Sequence, residues 1–149
     1  MFMKKLIILC LAAVALVSCG GPKTLYYWGG TQNGVTKYEH LAYLRYDKQT
    51  PESLCKLICT YEDIVTHPGG SRMTIPPGIC AEYGYILLQP SSADIFASAA
   101  SAAQRRMFER TDYGEFFIEY GKSLLEKEIE LYPESVLFIR PLVEKLACR

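Results

Sequence analysis

Side chains that could carry out acid–base or metal chemistry are scarce in this chain of 149 residues. It contains two histidines, His40 and His67. A histidine that acts as a base or a metal ligand needs a nucleophile, a carboxylate or further ligands at a recognisable spacing. The sequence has neither a Gly-x-Ser-x-Gly nucleophile motif nor a glycine-rich phosphate loop. We therefore expect no catalytic residues, no metal site and no cofactor, and we do not expect an enzyme.

The residue with the clearest chemical signature is Cys19. Lys4 and Lys5 precede an apolar run, Leu6 to Leu16, whose length suits a secretory signal and is too short to span a bilayer. The run ends in Leu16-Val17-Ser18-Cys19, which resembles the bacterial lipobox. That resemblance implies cleavage before Cys19, diacylation of its thiol and acylation of the new amino terminus. The alternative is an ordinary signal peptide that contains a chance cysteine.

These features divide the chain into three segments: a lipoprotein signal peptide at 1–18, a lipidated tether at 19–24 and a folded domain at 25–149. Several acyl chains on one residue would anchor the protein firmly, because each buried methylene contributes roughly 0.8 kcal/mol. We expect a lipid-anchored protein of the outer membrane. Residues 20–23 lack the acidic side chains that mark surface export in some bacteria, so the domain is expected to face the periplasm.

The composition is that of a folded globular chain. Hydrophobic residues make up 50% of the sequence and charged residues 21%, a balance that is atypical of disordered proteins. Loss of Lys4 and Lys5 with the signal leaves 14 basic and 16 acidic side chains, a net charge of −2. This argues against nucleic acid as a partner, because binding it requires a clustered basic face.

Four cysteines remain once Cys10 is removed with the signal and Cys19 is acylated: Cys55, Cys59, Cys80 and Cys148. The first two are four residues apart and share a helical face, a spacing that fits neither a redox motif nor a usual zinc site. Buried core cysteines are the preferred interpretation, because free thiols pack as small hydrophobic groups. Disulfides in an oxidising envelope and a four-thiolate metal site are the alternatives.

Three aromatic residues near the tether, Tyr26, Tyr27 and Trp28, form the candidate contact site. Flat aromatic faces suit sugar rings, so these residues could bind a glycan. They could equally cover an open end of the helical layer, where a large side chain buries area and keeps its polar tip in water. Docking of a partner protein through the same rings is a variant of that interpretation.

The spacing of apolar residues predicts an all-α domain. Helices are expected to begin near Thr36, at Pro51 with Thr50 as N-cap, and at Ile79. A helix of small residues is expected from Ser91 through Ala103, and the pattern predicts two more at about 112–131 and 136–146. We find no run with the period of two that is typical of strands.

The acidic residues divide into two groups. Glu82 lies between apolar neighbours and is either a buried hydrogen-bond acceptor or part of an exposed side of the domain. Glu126, Glu128 and Glu130 alternate with Lys127 and neighbouring apolar residues. That pattern predicts a solvated helix face with local ion pairs.

The elements after residue 76 are similar in order to a tetratricopeptide hairpin. Gly84 stands where the first helix of that repeat meets its partner, and Pro133 stands where the second helix ends. They are 49 residues apart, roughly twice the separation expected within a repeat of about 34 residues. An insertion from Pro90 to Tyr113 would explain the difference, and a generic helical bundle is the alternative.

Four motifs together resemble the small bacterial lipoproteins known as domain of unknown function 4810. Besides the lipobox, they are Leu25-Tyr26-Tyr27-Trp28-Gly29, Ile75-Pro76-Pro77-Gly78-Ile79-Cys80-Ala81-Glu82-Tyr83-Gly84-Tyr85 and Glu126-Lys127-Glu128-Ile129-Glu130-Leu131-Tyr132-Pro133-Glu134-Ser135. The resemblance implies a tetratricopeptide-like envelope lipoprotein, often encoded beside a lipoprotein of the curli-secretion pore type. The segment from Ser91 to Arg110 is longer than in that family.

The sequence therefore predicts a non-catalytic adaptor or scaffold for an envelope or secretion complex. Its expected partners are the bilayer, through acylated Cys19, and other envelope lipoproteins. The alternative is a periplasmic module that binds peptidoglycan or another glycan through Tyr26, Tyr27 and Trp28.

Overall fold

A computed structural model describes residues 23–147. The expected signal peptide, the lipidation site Cys19 and the cysteine Cys148 lie outside the described residues. Within them the protein is mostly helical, which confirms the all-α class, and none of the helices has both the length and the apolar character needed to cross a bilayer. The helices are α1 (Lys37–Lys48), α2 (Pro51–Thr66), α3 (Ile79–Leu87), α4 (Ser92–Ala99), α5 (Ala102–Arg106), α6 (Gly114–Leu131) and α7 (Val136–Ala147).

A short β-hairpin precedes the helices. Strand β1 (Thr31–Gln32) pairs antiparallel with β2 (Val35–Thr36). Asn33 and Gly34 join the strands with φ angles of 54° and 81°, the pair of positive values that a type I′ turn requires. The sequence pattern indicated turns here but no strands, because two-residue strands are too short to show a period.

Helices α1 and α2 begin where their capping residues predict. The Thr36 hydroxyl accepts a hydrogen bond from the backbone N–H of Glu39 (3.2 Å), and the Thr50 hydroxyl accepts one from Ser53 N–H (3.2 Å). These bonds satisfy backbone donors that have no partner inside the helix. Ten of the 16 residues of α2 are buried, so this helix is the centre of the core, packed against α1, α3 and α4.

The single small-residue helix expected from Ser91 to Ala103 is divided in two. Helix α4 ends at Ala99, and Ser101 begins α5 with a capping box. The Ser101 hydroxyl accepts from Gln104 N–H (3.3 Å), and the Gln104 side chain accepts from Ser101 N–H (2.8 Å). The reciprocal bonds favour a new helix start over continuation of the old helix.

Helices α3 and α6 cross at two glycines, Gly84 and Gly121. A Cβ atom added at Gly84 would lie 2.7 Å from the Gly121 carbonyl oxygen and 3.1 Å from Cγ of Leu125. A Cβ atom at Gly121 would lie 2.8 Å from Cγ of Leu88. The two backbones therefore approach more closely than any residue with a side chain would allow.

Replacing Gly84 by alanine should lower the free energy of unfolding by about 1–3 kcal/mol, because the added methyl group must push α3 and α6 apart. Gly114→Ala is the matched control, since its Cβ would meet only Oδ1 of Asp112, at an ordinary 3.4 Å. Urea unfolding, monitored by circular dichroism, gives the free energy of unfolding of both variants. Equal stability of Gly84→Ala and the wild type would contradict the close crossing.

Candidate functional site

The aromatic residues that the sequence singled out lie together just before β1. Tyr26, Tyr27 and Trp28 are all half-buried. The Trp28 ring centroid is 5.3 Å from that of Tyr38 and 6.3 Å from that of Tyr26. The Trp28 carbonyl accepts a hydrogen bond from Tyr38 N–H at 3.2 Å. The segment is thus fixed against the start of α1, with part of each ring still in solvent.

The polar groups of the two tyrosines are already bound within the fold. The Tyr27 hydroxyl donates to Oδ2 of Asp63 at 2.8 Å, and the Tyr26 hydroxyl accepts from Nη1 of Arg72 at 3.1 Å. Burial and the hydrogen bond to Asp63 raise the pKa of Tyr27. The other oxygen of Asp63 lies 3.3 Å from Nδ1 of His67. These contacts hold the segment in place, and the Arg72 guanidinium also lies over the Tyr26 ring, 5.7 Å from its centroid.

Trp28 is the first ring of a continuous aromatic row that crosses the core. Successive ring centroids along the row are 5.3–5.8 Å apart, a separation typical of favourable aromatic pairs. We call the four tyrosines that follow Trp28 the tyrosine row: Tyr38, Tyr61, Tyr83 and Tyr120. Their hydroxyls converge in pairs on two carboxylates, which is the most organised polar arrangement in the described part of the chain.

Each carboxylate accepts two phenol hydrogen bonds on one oxygen. Oε2 of Glu82 accepts from Tyr38 (2.7 Å) and Tyr61 (2.8 Å). Oε2 of Glu62 accepts from Tyr83 (2.9 Å) and from Tyr120 (3.0 Å). Glu82 is exposed and so joins solvent to the tyrosine row. The sequence left open whether Glu82 is a buried hydrogen-bond acceptor or part of an exposed side. The structure shows an exposed residue that accepts hydrogen bonds, so the acceptor role is right and the burial is not.

Electrostatics keep these phenols protonated. Burial is the largest cause that raises the pKa of Tyr61, and the negative charge of Glu82 raises it further. Burial likewise raises the pKa of Tyr83 well above its ordinary value, with Glu62 as the next cause. A protonated phenol is a donor and a poor nucleophile. The tyrosine row therefore donates hydrogen bonds that hold the carboxylates of Glu62 and Glu82 in place.

The buried carboxylate of Glu128 caps the start of α3, a role that the sequence did not identify. Glu128 is 2% exposed, which corrects the prediction that it lies on a solvated face. Its Oε1 accepts from Gly78 N–H at 2.7 Å and its Oε2 from Ala81 N–H at 3.3 Å. Gly78 is the N-cap of α3 and has no side chain to cap the helix, so Glu128 on α6 supplies the missing acceptor.

Replacing Glu128 by alanine should lower the free energy of unfolding by about 2–4 kcal/mol, since it leaves buried N–H groups without a partner and opens a cavity. Glu126→Ala is the control, because Glu126 is exposed two residues earlier on the same helix. Thermal and urea unfolding measure both variants. A loss of stability no larger than that of Glu126→Ala would contradict the capping role.

Three of the four cysteines lie in the core as free thiols. Cys55, Cys59 and Cys80 are buried and unpaired, which confirms the preferred interpretation for these three. Burial raises the pKa of the Cys59 and Cys80 thiols to about 12. Within residues 23–147, no three histidine, cysteine or acidic side chains are placed to hold a metal ion together.

The buried thiols should resist labelling in the folded protein. In residues 20–149 carrying Cys148→Ser, which keeps only the three core cysteines, a disulfide reagent at about pH 8 should react slowly, because little thiolate forms at that pH. Unfolding in guanidinium should expose all three. Fast labelling of the native protein at a rate near that of the unfolded chain would contradict the burial.

Helix α7 exposes large apolar side chains that sequence reasoning missed. Its packed side contains Ile139, which is 8% exposed, whereas Leu137 is 77% and Phe138 is 79% exposed. The helical period correctly predicted that Ile139 is buried, with Val136 half-buried on the same side. It does not report apolar residues elsewhere on the helix. The adjacent pair Leu137-Phe138, which falls outside that period, is the signal that could have found them.

No protein-family model matches this chain, and the searches of curated proteins and of solved structures find no match either. The resemblance to the lipoproteins of domain of unknown function 4810 stays a prediction that depends on the sequence motifs. The partners that the resemblance implies stay predictions for the same reason.

Proposed function

We propose that this protein is a non-catalytic adaptor of the bacterial envelope. Acylated Cys19 would hold it at the outer membrane, with the helical domain in the periplasm. The lipobox-like sequence that ends at Cys19 supports the anchor. The helical domain would then present its exposed surfaces to other envelope proteins.

We interpret the domain as tetratricopeptide-like. The crossing of α3 and α6 at Gly84 and Gly121 supports this, because the two helices of such a repeat meet at small residues. Pro133 follows α6 at the position where the second helix of a repeat ends. In this interpretation α4 and α5 are an insertion, and α7 is the next helix in the stack.

The observation that carries the adaptor proposal is the exposed apolar face of α7. A helix at the end of a repeat stack normally has a polar outer face, which keeps the array soluble. Leu137 and Phe138, which are consecutive on α7, are instead 77% and 79% exposed. Adjacent exposed aliphatic and aromatic side chains are typical of the central part of a protein interface.

The proposed partner is another envelope lipoprotein, of the curli-secretion pore type that the family resemblance implies. An apolar contact fits such a partner better than a charged one, since the mature chain carries a net charge of only −2. Arg140 and Glu144, further along α7 than the apolar pair, are exposed. Charges around an apolar centre would set the orientation of a partner.

Leu137→Ser combined with Phe138→Ser should abolish recovery of partners in a crosslinking pull-down from intact cells. The melting temperature of this double variant should change little, because both side chains are exposed. Tyr43→Ser combined with Tyr46→Ser is the matched control, since these α1 tyrosines are 69% and 84% exposed. Fatty-acid labelling should persist in both double variants and disappear in Cys19→Ala.

Unchanged recovery of partners by the α7 double variant would contradict the docking surface. Fatty-acid labelling of Cys19→Ala at the wild-type level would contradict the anchor separately.

Glycan binding is the second candidate, and the geometry around Glu82 favours it. The rings of Trp28 and Tyr38 are 5.3 Å apart, and the exposed Glu82 beside Tyr38 has one oxygen, Oε1, that accepts no hydrogen bond from the described residues. An aromatic face beside a carboxylate can stack on a sugar ring and accept a bond from its hydroxyls.

Sedimentation with purified peptidoglycan sacculi separates the two candidates. The adaptor proposal predicts that wild-type protein stays in the supernatant. Binding that is lost in Trp28→Ala and retained in the Tyr43→Ser, Tyr46→Ser variant would favour the glycan module. The melting temperature of Trp28→Ala must be measured alongside, because removal of a half-buried ring should cost about 1–3 kcal/mol of stability.

A further inference from the structure

A groove lined by three arginines lies beside α5, on the segment that is longer than in the resembled family. It has a volume of about 410 Å³ and is bounded by the end of α4, by α5 and by the loop that leads to α6. Arg105, Arg106 and Arg110 line it together with one carboxylate, Glu109. The lining therefore carries a net charge of +2 near neutral pH.

Two of the guanidinium groups are held in position by their neighbours. Nη1 of Arg105 donates to the carbonyl oxygens of Ala100 (2.5 Å) and Ala97 (3.4 Å). The guanidinium carbon of Arg110 lies 5.0 Å from the centroid of the Phe116 ring, within the range of a cation–π contact. Both contacts orient the side chains without neutralising their charge.

The three arginines have no acidic partner in the described part of the chain. The ion pair found there joins His67 and Asp63, on a different helix. Asp112, the next nearest acidic residue in sequence after Glu109, accepts a hydrogen bond from Gly114 N–H (2.9 Å) at the start of α6. Three guanidinium groups that share a groove repel one another, so an anion bound there would relieve that repulsion.

A buried hydroxyl at the same groove also lacks a partner. Tyr113 lines the groove, is 4% exposed, and its hydroxyl makes no hydrogen bond with any described residue. Its ring is fixed in an aromatic cluster, with Phe96 and Phe117 at centroid distances of 5.1 and 5.6 Å. A buried hydroxyl without a partner is costly and is usually satisfied by a water or a ligand.

We infer that this groove is a binding site for a phosphate monoester. The planar guanidinium fork matches phosphate oxygens in pairs, and a phosphate monoester carries a charge of about −1.5 to −2 at neutral pH, which complements the groove. In this proposal the unpartnered hydroxyl of Tyr113, a residue that lines the groove, supplies a neutral donor. The phosphate comes either from a soluble molecule or from a lipid headgroup, and both present the same group to the arginines.

Isothermal titration of the full-length protein in nonionic detergent with inorganic phosphate tests the site. We expect saturable binding at low ionic strength, weakened about tenfold by Arg106→Gln or Arg110→Gln, because each removes a charged, bidentate donor. Arg140→Gln on α7 is the control and should leave the affinity unchanged. No saturable binding by the wild type, or an equal loss in Arg140→Gln, would overturn the proposal.

Tyr113→Phe tests the hydroxyl separately. Without phosphate, this variant should melt at or above the wild-type temperature, since it removes an unsatisfied buried group. Phosphate should then raise the melting temperature of the wild type more than that of the variant. An equal rise in both proteins would overturn the role assigned to the hydroxyl.

Titration with a short-chain phosphatidic acid distinguishes the two sources of phosphate. A lipid headgroup is the ligand if the affinity for phosphatidic acid is about tenfold above that for inorganic phosphate and is lost in the same arginine variants. Equal affinity for the two probes identifies a soluble phosphate. Tighter lipid binding that persists in Arg106→Gln and Arg110→Gln would place the lipid elsewhere and overturn the headgroup assignment.

Discussion

The contact between α3 and α6 is the constraint on which the rest of the structure depends. Gly84 and Gly121 let the two backbones meet, and the Glu128 carboxylate on α6 caps the first turn of α3. The close approach places Tyr83 of α3 beside Tyr120 of α6, with ring centroids 5.8 Å apart. Without that approach, the hydroxyls of Tyr83 and Tyr120 could not both donate to the Glu62 carboxylate on α2.

The core tolerates many polar groups because almost all of them have a hydrogen-bond partner. The tyrosine row places its hydroxyls on Glu62 and Glu82, whose carboxylates lie at or near the surface, where water still solvates the charge. Glu128 is the exception, since it is 2% exposed, and it accepts hydrogen bonds from the backbone N–H groups of Gly78 and Ala81 at the start of α3. Among the described residues, the buried hydroxyls of Tyr113 and Ser135 are the groups without a hydrogen-bond partner.

Local signals in the sequence predicted the helices well and the site poorly. Thr50 and Pro51 specify the start of α2 within four residues, so the sequence alone is sufficient there. The capping of α3 depends on Gly78 and Glu128, which are 50 residues apart, and no periodicity reports such a pair. The turn at Asn33 and Gly34 is a readable local signal, whereas the two-residue strands beside it are too short to show a period. The Ser101 capping box is also a local signal, but the small-residue pattern continues through it to Ala103 and so predicts a single helix.

Three surfaces of the domain are candidate contact sites: the α7 face, the rings around Trp28 and the arginine groove. The adaptor account rests on the first, and photocrosslinking in intact cells tests it most directly. A photoreactive amino acid in place of Phe138 should give discrete crosslinked partners, while the same group in place of Tyr46, 84% exposed on α1, should give none. Crosslinks that are absent at Phe138, or that are identical at the two positions, would contradict the account.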